Sequence, residues 1–190
     1  MDILTFQKIF MDPLHPREDQ LTIEDIAHAL SMLCRANGHF PEIHTVAQHS
    51  MECYEEAKAR GFSSQMQLFC LLHDGAEAYM GDFIRPVKAR MPGYKEAENN
   101  LLHMIYEKFA GRVPTDEEEK VIKEIDDTLL YFEFLHYMGV GCGSPGKGLK
   151  SEPVFREGYD QGEICHYTIR YSDEVCEGEG EGEYQKSGQI

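Results

Sequence analysis

Four side chains on three helix-patterned stretches have the types and spacing to hold a divalent metal ion: His49 in VAQHS, His73 and Asp74 in LLHDGAEAYMGD, and Asp126 in IDDTLL. Each lies among apolar residues. A buried charge is costly unless it is paired or metal-bound, so an acid on an apolar helix face demands a partner. Helical counting separates the two adjacent aspartates. Asp126 has Ile122, Leu129 and Leu130 one turn away, whereas Asp127 has Lys123, Glu124 and Tyr131. Asp126 is therefore expected to face the core and Asp127 the solvent. By the same counting, Val46 and Cys53 flank His49, and Phe69 and Cys70 lie one turn before His73. One buried histidine is more often a hydrogen-bonded core residue than a ligand. Three helices that each offer an inward donor favour the ligand.

Two imidazoles and two carboxylates give an N₂O₂ set that leaves coordination positions for water and substrate oxygens. An ion held this way polarises a phosphoryl oxygen and acidifies bound water, so hydrolysis is the expected chemistry. Mn²⁺ and Co²⁺ are the first expectations, and the mixed donor set also admits Mg²⁺, Fe²⁺, Ni²⁺ and Zn²⁺. Glu77, one helical turn after His73, and Asp82, just past Gly81, are the candidate catalytic acids that would orient water and assist the leaving oxygen. Arg85 and Lys88 in DFIRPVKAR, with Lys123 three residues before Asp126, are the candidate phosphate contacts. Arg90, in the same basic island, reads as an ordinary solvated charge.

These residues need helices to position them, and five stretches before residue 139 have helical periodicity. The first opens at Thr22 and runs to Asn37-Gly38. The second spans about 42–60, and the third starts after Ser63 or Ser64 and runs on to Gly81. The fourth spans about 94–110, and the fifth begins with Thr115 and an acidic first turn and continues to about Met138. An all-α domain over 1–138 is the expected architecture. Eleven of the 17 glycines fall after Met138, so 139–190 reads as a Gly/Glu-rich C-terminal extension. Within it, EPVFRE and ICHYTIRY could pair as a small β-hairpin, with a loosely packed acidic tail as the alternative.

The formal charge of −16 disfavours a nucleic acid polymer as partner. No stretch approaches a membrane span or a secretory signal, and the six cysteines form no C-x-x-C pair. A cytoplasmic protein without a membrane partner is expected.

His49, the His73-Asp74 doublet and Asp126, in this order on helices, resemble the HD-domain superfamily of metal-dependent phosphohydrolases. LTIEDIAHALSMLCRANGHF, VAQHS, LLHDGAEAYMGDFIRPVK and IDDTLL together resemble its single-domain branch of bacterial deoxynucleoside 5′-monophosphatases and phage deoxynucleoside triphosphate hydrolases, over residues 20–138. The resemblance implies a compact helical bundle and one divalent ion on the four ligands. It also implies Glu77 and Asp82 as water- and substrate-positioning acids, with Lys88 and Lys123 on phosphate. Arg35, in LCRANGH, matches an arginine that binds substrate in these relatives; Ala36 stands where many of them carry an aromatic residue, which leaves base preference open. A nucleotide is the implied small-molecule partner, and a homodimer the implied assembly. The expected activity is a 5′-nucleotidase on (deoxy)nucleoside monophosphates, with a triphosphate phosphohydrolase as the alternative. A metal-stabilised regulatory or binding module without turnover is the alternative of another class, and guanosine tetraphosphate hydrolysis fits the GDFIRPVK segment less well.

Overall fold

The computed structural model describes residues 2–152 and 160–180, the side chains of 174–180 excepted. The chain is mostly helical. It opens with a small antiparallel pair, β1 (Ile3–Leu4) and β2 (Phe10–Met11), in which Ile3 faces Met11 and Leu4 faces Phe10. This two-stranded sheet adds to the all-α expectation. It is tied to the first helix where the Gln7 N–H donates to Asp25 Oδ1 at 2.7 Å.

Helix α1 (Ile23–Met32) starts where the Thr22 hydroxyl accepts from the Asp25 amide, as expected, but it stops well before Asn37-Gly38. The backbone after Met32 finds other partners. Val46 N–H donates to Leu33 O at 2.9 Å and Arg35 N–H to His44 O at 2.8 Å. A tight turn over Arg35–Gly38 follows, with Ala36 and Asn37 both at φ 52°. This pairing also delays α2 (Val46–Ala59), whose first turn is fixed by a reciprocal cap between Thr45 and Gln48.

Helix α3 (Ser64–Leu72) is capped by Ser63. The expected run to Gly81 breaks at His73 and resumes as the short α4 (Glu77–Met80). Gly75 N–H donates to Leu72 O at 2.8 Å and Glu77 N–H to Asp74 O at 2.9 Å, so the backbone tightens there. A side chain at Gly75 would meet Leu72 O at 3.0 Å and Ile105 Cγ2 at 3.3 Å, which is why this turn carries glycine. After α5 (Arg85–Lys88), α6 (Tyr94–Ala110) runs between two left-handed glycines. The long α7 (Asp116–Met138) starts from a Thr115/Glu118 capping box and ends at Gly139.

The segment beyond residue 139 contributes to the bundle. Ile164–Tyr171, expected as a strand, is helical and belongs to α8 (Gln161–Gly180). Asp160 Oδ1 accepts from the Glu163 amide at 2.8 Å, and Ile164, Thr168 and Ser172, spaced one turn apart, are buried against α1, α2 and α3. This helical face overrides the imperfect alternation that suggested a hairpin. Most of EPVFRE, the other proposed strand, lies outside the described residues. Upstream, Lys150 and Ser151 donate their amides to the fully buried carboxylate of Glu56. The core fills the space between α1, α2, α3, α6 and α7 with Ile26, Leu30, Phe69, Leu72, Leu101, Ile105, Ile125 and Leu129. No described helix is long and apolar enough to cross a membrane.

Candidate metal centre

His49 stands on the first turn of α2, His73 at the end of α3, Asp74 in the tightened turn, and Asp126 midway along α7. The fold brings all four together. His49 Nε2 lies 3.2 Å from Asp126 Oδ1 and 3.9 Å from Asp74 Oδ2. His73 Nε2 lies 3.3 Å from Asp74 Oδ2 and 4.0 Å from Asp126 Oδ1. Donors about 2.1 Å from a shared ion stand roughly 3 Å or more apart, and these four separations are of that order. The second donor atoms of His73 and Asp126 are committed elsewhere. His73 Nδ1 donates to Cys70 O at 2.8 Å, and Asp126 Oδ2 accepts from Arg85 Nη2 at 2.8 Å.

What is left facing inward is revealing. His73 Nε2 and Asp74 Oδ2 are buried and have no hydrogen-bond partner. Native structures rarely leave buried polar atoms without a hydrogen bond, and two such donors turned to one point suit a cation. Burial works against charge on Asp126, but the His49 hydrogen bond and the charges of His49, His73 and Arg35 hold its carboxyl well below the usual range. Burial and the Arg35 guanidinium oppose charge on His49, yet Cys53, Glu133 and Asp126 raise it well above an ordinary histidine. A metal ion would stand in for that proton.

Asp126 and Asp127 divide as the helical counting predicts. Asp126 points into the cluster, while Asp127 lies outside it, with Arg85 Nη1 at 2.6 Å and Lys123 Nζ at 2.9 Å. Cys53, one turn after His49, puts its sulfur 3.5 Å from His49 Nε2 and joins His49 and His73 in a group whose ligand atoms lie within 4.8 Å of one another. Burial pushes its thiol up to about 11, so it is protonated at neutral pH without a metal.

Glu77 is buried beside the centre, with Oε1 2.5 Å from Lys88 Nζ and Oε2 without a partner. Burial first, then the carboxylates of Asp74 and Asp82, push its carboxyl up to about 9 against the opposing Lys88 charge. Asp82 is raised as well, chiefly by burial, with Arg35 and Asp74 acting on it in opposite senses. Lys88 also reaches Glu98 at 2.8 Å, a partner on α6 that the sequence analysis does not single out. Arg85 is half-exposed at the edge of the cluster. Lys123 is exposed on the outer face of α7 and pairs with Asp127, away from the four donors.

Arg35 occupies a different place from an open substrate contact. It is buried, with Nη1 3.6 Å from Asp74 Oδ2 and Nη2 3.4 Å from Glu133 Oε2. Neither Glu133 nor its neighbour His44 belongs to the sequence motifs that single out the four donors. Glu133 Oε1 lies 2.5 Å from His49 Nδ1 and 3.2 Å from His44 Nε2, all three side chains being fully buried. The signal was present: Glu133 follows Asp126 by seven residues, two helical turns, and so shares its inward face.

No family model matches the chain. The uncharacterized protein YfdR of Escherichia coli strain K12 is 35% identical over 92 residues, which cover 48% of this chain and 49% of that protein. An uncharacterized protein of Rhodobacter capsulatus is 38% identical over 105 residues, covering 52% of this chain and 53% of its own length. The chain thus spans about half the length of the curated relatives it matches.

Proposed function

We propose that this protein is a metal-dependent phosphohydrolase of the HD type acting on nucleotides, with (deoxy)nucleoside 5′-monophosphates as its substrates. The observation that carries the reading is the convergence of His49 Nε2, His73 Nε2, Asp74 Oδ2 and Asp126 Oδ1, two of them buried without a hydrogen-bond partner. A divalent ion on these donors supplies Lewis-acid activation of a phosphoryl oxygen and an acidified water. Mn²⁺ and Co²⁺ are the preferred ions.

In this reading Glu77, whose carboxyl feels the charges of Asp74 and Asp82, orients that water and accepts its proton. Burial first, then Asp74 and Asp82, favours the protonated Glu77; a cation on Asp74 would weaken that repulsion and let Lys88 favour the carboxylate. Asp82 would face the substrate's sugar or leaving oxygen. Arg85 and Lys88 border the cluster and each is engaged with a site carboxylate that phosphate would compete for. Among the described residues these two cations balance the charge of one phosphate better than that of three, which favours the monophosphate over the triphosphate reading. Arg35, held behind Asp74, acts on substrate through the ligand rather than by reaching out.

The test is phosphate release from deoxy- and ribonucleoside mono-, di- and triphosphates by Mn²⁺- or Co²⁺-loaded protein. Release of inorganic phosphate from a monophosphate, lost in Glu77→Gln with folding intact, supports the proposal. Intact triphosphate released from a deoxynucleoside triphosphate moves the activity to the triphosphohydrolase, and no release from any nucleotide refutes a nucleotide hydrolase.

A further inference from the structure

The described side chains contain a second group of possible metal donors, His44, Glu52 and Glu133, directly behind the first centre. Its geometry is that of an anchor. Glu133 Oε1 is approached by two imidazole nitrogens, His49 Nδ1 at 2.5 Å and His44 Nε2 at 3.2 Å. A carboxylate only accepts, so both nitrogens carry their proton toward it. On the other oxygen sits the Arg35 guanidinium, at 3.4 Å. Tyr137 Oη lies 3.3 Å from His44 Nδ1, the nitrogen left to accept. A cation here would have to displace two N–H donors and settle beside an arginine.

We infer that Glu133 is a positioning residue for the metal centre: it holds the His49 ring with Nδ1 protonated and Nε2 turned to the ion, and His44, Tyr137 and Arg35 in turn fix Glu133. This rests on the proposed metal centre and deepens it. A carboxylate behind a ligating imidazole selects the tautomer, sets the ring's orientation and makes the ligating nitrogen a better donor. Arg35 carries the same network to Asp74, so one buried acid on α7 supports ligands on α2 and in the turn after α3. Glu133 touches neither the ion nor the substrate in this arrangement. Its replacement acts on how tightly the ion is held.

The experiment titrates full-length protein with Co²⁺ and compares the wild type with Glu133→Gln and Glu133→Leu, all checked for helical content. Glu133→Gln keeps an oxygen acceptor and is the variant to rely on if Glu133→Leu does not fold. The wild type is expected to bind one ion per chain, Glu133→Gln to bind about 10- to 100-fold more weakly, and Glu133→Leu more weakly still. Nitrogen-15 spectra of Zn²⁺-loaded, histidine-labelled protein should show His49 protonated at Nδ1 in the wild type, a signature that a purely packing role for Glu133 would not alter in the variants. Equal Co²⁺ affinity in all three proteins overturns the inference and leaves the metal centre standing. Two ions in the wild type, one of them lost in Glu133→Gln, overturns it by making Glu133 a ligand. No Co²⁺ binding by the wild type removes the metal centre itself, and the inference with it.

Discussion

Two clusters of buried acid in this molecule are built in opposite ways. Glu56 on α2 is saturated: Arg60 Nε donates to it at 2.7 Å, the Lys150 and Ser151 amides at 3.0 and 2.7 Å, and the Ser151 hydroxyl at 2.6 Å. Burial works against its charge, yet these donors keep its carboxyl below the ordinary glutamate range. The centre around His49 lies two turns back along the same helix and leaves His73 Nε2, Asp74 Oδ2 and Glu77 Oε2 without hydrogen-bond partners. A buried acid that closes its own account with local donors is architecture, and here it clamps the 148–151 loop onto α2. Unmet atoms of several elements aimed at one point describe a site whose last partner comes from outside.

The contrast can be broken by experiment. Glu56→Ala strips four donors of their acceptor and leaves Arg60 with a weakened environment, and breaking such a buried pair costs about 3–5 kcal/mol. Chemical denaturation should read that loss, while the metal-induced gain in stability remains. In the wild type that gain is expected to reach about 2.7 kcal/mol with Mn²⁺ at 100 times its dissociation constant. Asp74→Asn should abolish the gain and cost the metal-free protein far less than Glu56→Ala does, because Asp74 Oδ2 has no hydrogen bond to lose and only a long ion pair, 3.6 Å from Arg35 Nη1. An Asp74→Asn protein that unfolds without metal would place Asp74 with Glu56 as a structural acid.

Smaller effects calibrate the comparison away from both clusters. Thr115→Ala removes the hydroxyl that accepts from the Glu118 amide at the start of α7 and should cost about 1 kcal/mol, with metal binding unchanged. Glu118 itself is lowered to about 2, first by its hydrogen bonds from Arg112 and then by those from Thr115, with burial opposing. Its stabilising share is therefore full above the ordinary value of 4.5 and is lost as the pH falls from there through about 2. Glu118→Gln should flatten the stability profile across that window alone.

Much of the helical pattern was legible because local signals agreed with tertiary packing. Tyr94–Ala110 is bounded by its two glycines and Asp116–Met138 by its capping box, both close to where composition puts them. The break at His73 was not legible, because the turn that replaces the helix packs Gly75 against Ile105, a residue on another helix. Helix α8 was misread as strand because the residues it packs on, such as Tyr54 stacked on Tyr171 at 4.7 Å, lie far away in sequence. In the site, counting along α7 sufficed to turn Asp126 inward, since its neighbours one turn away are apolar. It did not suffice for Glu133, whose meaning depends on His44 and Arg35 meeting it across the bundle. The exposed Lys123 looked equivalent to Lys88 by charge and spacing; only the fold separates the lysine beside Glu77 from the one on the outer face.

The central claim is that four donors on α2, the turn after α3, and α7 hold one divalent ion. Isothermal titration of the full chain with Mn²⁺, alongside Asp126→Asn and Asp127→Asn, tests it most directly. One ion per wild-type chain, loss of binding by more than about 100-fold in Asp126→Asn, and near-wild-type binding in Asp127→Asn are the predicted results, the loss of a ligand exceeding that of a supporting group. Undiminished binding in Asp126→Asn, or none in the wild type, would contradict it.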